Sequence, residues 1–127
     1  MVLLKNANGV LPFPAGRRVA VLGTSSNSGG DLLGNYVGPV CPDGSFKCVA
    51  SIFDMVTQFN APGTVALVAD VSQVAQAVHA AQLADHVVLV ISNAADGGEE
   101  GKDRYNISLA ADQLTFVKAV LAVSTCI

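Results

Sequence analysis

The stretch "RRVAVLG", Arg17 to Gly23, sets two arginines before four consecutive apolar residues and closes on a glycine. A strand with one wet face alternates apolar and polar residues. An unbroken apolar run is what a strand covered on both faces requires. Two later runs repeat the pattern: "TVALVAD" at 64–70 and "DHVVLVIS" at 85–92. Between the first two lies "SIFDMVTQFNAPG" at 51–63, where Ile52, Met55, Val56 and Phe59 share one helical face, with Met55 and Phe59 read as core. Ser51 and Asp54 form a capping pair, and Asn60, Pro62 and Gly63 end the helix. Between the second and third runs, "SQVAQAVHAAQLA" at 72–84 predicts a helix with Ser72 as N-cap and Val74, Ala75 and Val78 facing inward. A last helix is predicted over "DQLTFVKAVLAV" at 112–123, with Leu114, Val117 and Leu121 on one stripe. Strands alternating with helices of this length imply right-handed parallel crossovers. The expected fold is therefore α/β, a mostly parallel sheet with helices on both faces.

In such a sheet, ligands bind at the edge formed by the strand C-termini. Two polar loops leave that edge, 23–38 and 92–105. The first, "GTSSNSGGDLLGNYVGP", matches no phosphate-cradle motif. Its later glycines and Pro39 discourage the long helix whose N-terminus would bind an anion. The expectation is an irregular ligand-facing loop in which Asn35 and Tyr36 bond to or stack on a polar ring.

The second loop is the charged one. The chain has 7 Lys and Arg and 10 Asp and Glu, and six of these fall in Asp96–Arg104. Glu99 and Glu100 offer carboxylates, while Asp103 and Arg104 could pair or grip hydroxyls. Glycoside hydrolysis needs two carboxyl groups about the scissile bond, one of them kept protonated. A solvated acidic loop is the alternative reading. His79 is expected at the surface, and His86 opens the third strand. Neither has a Ser or Cys partner in a recognisable motif, so no triad is indicated.

Composition narrows the classes. The 127 residues suit one domain. Charged residues are 13%, against about 25% in an average soluble domain, and mean hydropathy is +0.49. Two explanations compete for that deficit, a small and very apolar domain or a face meant to be covered by further polypeptide, and exposed strand edges predict self-association. Net charge is -3 with no basic stripe, which argues against nucleic acid. No apolar run approaches the ~20 residues of a membrane span, and the N-terminus does not read as a signal peptide.

Cys41 and Cys48 flank "CPDGSFKC", whose Pro-Asp-Gly favours a turn that could bring the Cα atoms within disulfide reach. Two reduced thiols are the alternative. No third Cys or His stands nearby at metal-ligand spacing, so no metal is expected. Asn106-Ile107-Ser108 is a glycosylation sequon. With the Cys pair, it leans towards a secretory origin.

Four phrases in order, "VLLKNANGVLPFP", "RRVAVLG", "LLGNYVGP" and "EEGKDRYNISLAADQLTFVKAV", resemble glycoside hydrolase family 3. The likeness is to its second α/β domain, an (α/β)6 sandwich, and is greatest to the β-xylosidase and β-glucosidase branches. It runs from Val2 to about Val123, and residues 1–127 look like part of that domain. The resemblance implies a retaining β-glycosidase acting on a carbohydrate, with no cofactor. A preceding (β/α)8 barrel would supply the Asp nucleophile, and the loop at 96–104 would supply the acid/base Glu. The family pattern Glu-x-Glu-Gly-x-Asp-Arg places its first Glu at Gly98 here, while Glu100, Gly101, Asp103 and Arg104 match the rest. Glu99 and Glu100 therefore both stand as acid/base candidates, and Ala110-Ala111 replaces the usual Pro-Gly. The chain alone is expected to be inactive. A non-enzymatic carbohydrate-binding or interaction module and a flavodoxin-like nucleotide binder are the other readings.

Overall fold

The structure is a computed structural model, and it describes residues 2–33, 37–38, 40–92 and 105–124. Three strands, β1 (Arg18–Leu22), β2 (Thr64–Val68) and β3 (His86–Leu89), form a parallel sheet in the order β2-β1-β3. Ala20 of β1 is in register with Ala66 and with Val87, and Leu22 with Val68 and Leu89. Three helices accompany them: α1 (Ile52–Phe59), α2 (Val74–Leu83) and α3 (Ala111–Leu121). The chain moves from β1 outward to β2, then back across β1 to β3. Right-handed crossovers in opposite directions place α1 on one face and α2 on the other. The α/β fold expected from the alternating runs is the fold found.

β1 is the element that the unbroken apolar run describes. Ala20 and Leu22 are fully buried on the side of α2 and α3, with Val68, Val87, Ala77, Ala81, Phe116 and Val120. Val19 and Val21 are buried on the other side. β2 departs from the expectation of a strand covered on both faces. It lies at the sheet's edge, so Thr64 and Ala66 are exposed and only Val68 is buried.

The capping pair of α1 forms as expected. Ser51 Oγ accepts from Asp54 N at 3.1 Å, and Ser51 N donates to the Asp54 carboxylate at 2.9 Å. At its other end Asn60, 1% exposed, does more than stop the helix. Its side chain accepts from Arg17 N at 3.0 Å and donates to Arg17 O at 2.8 Å, tying the start of β1 to the start of β2. Phe59 is corrected from core to surface, at 75% exposed. It is the last residue of a short helix and lies in an open apolar cleft against Leu11 and Phe13.

The inward faces of α2 and α3 also differ from the periodicity reading. α2 buries Ala77 and Ala81 rather than Ala75 and Val78, with Val74 packed against the core's margin. Ser72 is not its cap. Asp70 organises that turn, accepting from Ser72 N at 2.8 Å. α3 buries Gln113, Phe116 and Val120, and leaves Leu114 and Leu121 exposed. Its core face is rotated by one residue from the expected stripe, and Phe116 joins Ala77 and Ala81 of α2 in one buried cluster.

Candidate active-site rim

The C-terminal ends of the three strands are bound to one another. Gly23 N donates to Val68 O at 2.9 Å, and Val90 N donates to Leu22 O at 2.8 Å. Gly23 has φ +118°, and a Cβ there would lie 2.2 Å from Val90 O. Only glycine allows the exits of β1 and β3 to run so close.

Beyond this contact the first loop folds on itself. Ser26, fully buried, donates to Gly23 O at 2.6 Å, while its own carbonyl accepts from Phe53 N at 2.9 Å. The loop thereby leans on the first turn of α1. Ser25, 3% exposed, donates to Asp31 Oδ2 at 2.6 Å. Its single proton being so used, the 2.5 Å contact between Ser25 Oγ and Ser92 Oγ is donated by Ser92. Asp31 Oδ1 accepts from Ser28 Oγ at 2.9 Å.

Ser92 is held from a second side. Gln113, 2% exposed on the first turn of α3, donates Nε2–H to Ser92 O at 3.1 Å. Ser92 is the last described residue before the charged loop. Loop 23–38 and the root of loop 92–105 thus meet on one rim, joined by Ser25 and Ser92. Two buried polar atoms beside this junction, Gln113 Oε1 and Thr24 Oγ1, have no hydrogen-bond partner among the described residues.

The candidate residues Glu99, Glu100, Asp103 and Arg104 lie outside the described residues, as do Asn35 and Tyr36. Cys41 and Cys48 are joined as a disulfide, Cα to Cα 5.7 Å. Asn106 is exposed, and its side-chain oxygen accepts from Ser108 N at 2.9 Å. His79 is exposed, and the His86 ring stacks on Phe13 at 5.0 Å between centroids. Among the described residues no three His, Cys, Asp or Glu side chains gather as a metal site, and no helix is long and apolar enough to cross a membrane.

Sequence reasoning did not single out Ser25, Asp31, Ser92 or Gln113. Serines in a Gly/Ser-rich loop carry no spacing signal of their own. The usable clue was positional: Gly23 and Ser92 each stand one to three residues past a strand end, where a parallel sheet assembles sites.

The geometry defines a parallel α/β domain whose polar loops converge at the strand C-termini. The sequence profile of the glycosyl hydrolase family 3 C-terminal domain matches residues 1–127, and the chain belongs to that family. It is also similar to a probable beta-D-xylosidase 7 of Arabidopsis thaliana, 33% identical over 127 residues. That alignment covers 94% of this chain and 16% of the relative's length. No solved structure gives a significant match.

Proposed function

We propose that this chain supplies one wall of the active site of a retaining β-glycosidase that cleaves terminal β-linked sugars, β-xylosides or β-glucosides. The observation that carries the reading is the Ser25–Ser92 hydrogen bond, which sets the root of the charged loop beside the first polar loop. The family membership and the xylosidase-named relative support the substrate class.

In this reading the chain is one portion of a longer enzyme whose (β/α)8 barrel provides an Asp nucleophile. That carboxylate attacks the anomeric carbon as the glycosidic bond breaks. Glu99 or Glu100 delivers its proton to the departing oxygen. The resulting carboxylate then takes a proton from water, whose oxygen displaces the Asp and releases the sugar. Asp103 and Arg104 organise the loop, and Asn35 and Tyr36 face the sugar. The Cys41–Cys48 disulfide and the exposed Asn106 sequon support passage through a secretory compartment.

The chain alone should not turn over aryl β-xylosides or β-glucosides, because the nucleophile is elsewhere. In the barrel-containing protein, Glu99→Gln or Glu100→Gln should cut kcat/KM by roughly 10²–10⁴ for substrates with poor leaving groups. Loss should be small for activated aryl leaving groups, which need no proton. Turnover by the chain alone that either Gln substitution abolishes would overturn the reading, and so would two Gln variants with unchanged leaving-group dependence.

A further inference from the structure

One cleft is not explained by the catalytic loop. It has a volume of about 700 Å³ and lies between the first polar loop and the disulfide-closed loop 41–48. Asp31 belongs to both places: it accepts from Ser25 on the rim and also lines the cleft. The cleft is therefore one side chain away from the Ser25–Ser92 junction.

Phe46 contributes apolar surface to it, and this residue is 43% exposed. Several contacts hold this residue in place. The Cys41–Cys48 bond closes the loop, and Cys41 N donates to Ser45 O at 3.2 Å. Asp43 accepts from both Ser45 N at 3.0 Å and Ser45 Oγ at 2.7 Å. Val49 N donates to Phe46 O at 3.0 Å. The ring lies against the Gly30 backbone, where an added Cβ would meet Phe46 Cβ at 3.5 Å. Gly29 is closer still to the loop's exit, its virtual Cβ 2.0 Å from Val49 O. A loop tied down at this many points loses little further freedom when a ligand covers the ring it carries.

The polar groups around the ring specify the ligand's chemistry. Asp31 and Asp54 line the cleft, and both carboxylates are already oriented by neighbouring serines. Asn27 adds an amide and Lys47 an ammonium group that has no carboxylate partner among the described residues. Two carboxylates against one ammonium disfavour an anion. A flat apolar ring bordered by carboxylate acceptors and amide donors suits a molecule with a C–H face and a hydroxyl rim.

We infer that this cleft is a saccharide subsite, with Phe46 stacking on a neutral pyranose unit whose hydroxyls donate to Asp31 and Asp54. The inference rests on the glycosidase reading and deepens it: the unit bound here belongs to the same oligosaccharide that reaches the rim.

The test is titration of the isotopically labelled chain with xylobiose and cellobiose, followed by amide chemical shifts. Saturable shifts at 27–31 and 45–54 in the millimolar range are expected. They should vanish in Phe46→Ala, weaken in Phe46→Leu, and persist in Phe59→Ala, which removes an exposed ring elsewhere. The spectra themselves report whether each variant is folded. Absence of shifts, shifts that survive Phe46→Ala, or shifts at these amides with inorganic phosphate instead would each overturn the subsite. Any of those results would leave the leaving-group test of Glu99 and Glu100 untouched, so the two readings fail separately.

Discussion

Asp85 and Arg18 close the sheet at the end opposite the rim. The Asp85 carboxylate accepts from Arg18 Nη2 at 2.6 Å and from Arg18 N at 2.9 Å, and Asp85 N donates to Arg18 O at 2.7 Å. The hydrogen bond from the Arg18 side chain, then that from its backbone, holds the Asp85 carboxyl down to about 2 from an ordinary 3.8. The same side-chain hydrogen bond raises the Arg18 guanidinium further. A carboxyl with a depressed folded pKa stabilises the fold above its unfolded value and loses that contribution as pH falls towards the folded one. Asp85→Asn should therefore lower Tm at neutral pH. The gap to the parent protein should close as pH drops from about 4 to about 2. Thermal unfolding across that window checks it, and a gap that stays constant to the acid limit would count against the pair. The two side chains are 64% and 34% exposed, so the neutral-pH effect is modest and weakens with salt. The sequence placed both residues at strand starts. Their pairing could not be read there, because 67 positions separate them and only the β1–β3 register brings them together.

At the scale of elements, the strands were more legible than the helix faces, and α3 explains why. A continuous apolar run marks a central strand whichever side chain points where. A helix must also declare its rotation, and "DQLTFVKAVLAV" offers two apolar stripes one residue apart. The stripe of Leu114, Val117 and Leu121 looks the better core. The structure chooses Phe116 and Val120 with Gln113, a polar residue whose amide Nε2 donates to Ser92 O and which no periodicity rule would place inside. Substitution separates the two rotations. Phe116 is fully buried, so Phe116→Ala should cost about 3–5 kcal/mol in urea unfolding. Leu114, 38% exposed, should lose less than about 1.5 kcal/mol on the same change. A reversed order would restore the stripe that the periodicity suggested. The same rotation bears on the candidate site. Gln113 reaches the loop root only from the inward face of α3, which is why the rim's anchor was as hidden in the sequence as the helix's core.

For the whole molecule the deciding feature is apolar surface that this chain does not cover. With 13% charged residues there is little to mask it. Leu3, Leu4, Phe59, Ile107, Leu114 and Leu121 are exposed, Leu4 and Ile107 at 92% and 96%. β2 and β3 each carry an outer edge with no neighbouring strand among the described residues. An apolar α3 face and open parallel-strand edges are the surfaces through which domains of larger α/β proteins are covered, and a chain presenting them uncovered associates with itself. We expect concentration-dependent oligomers by light scattering, reduced in a Leu114→Lys, Leu121→Lys double variant. Both positions point away from the core, so the double variant should keep its fold by circular dichroism. A monomer that persists at high concentration would mean that these faces are tolerated by water. The deficit of charge would then need another cause than surface that a partner covers. Association that the lysines leave unchanged would instead assign the contact to the open strand edges of β2 and β3.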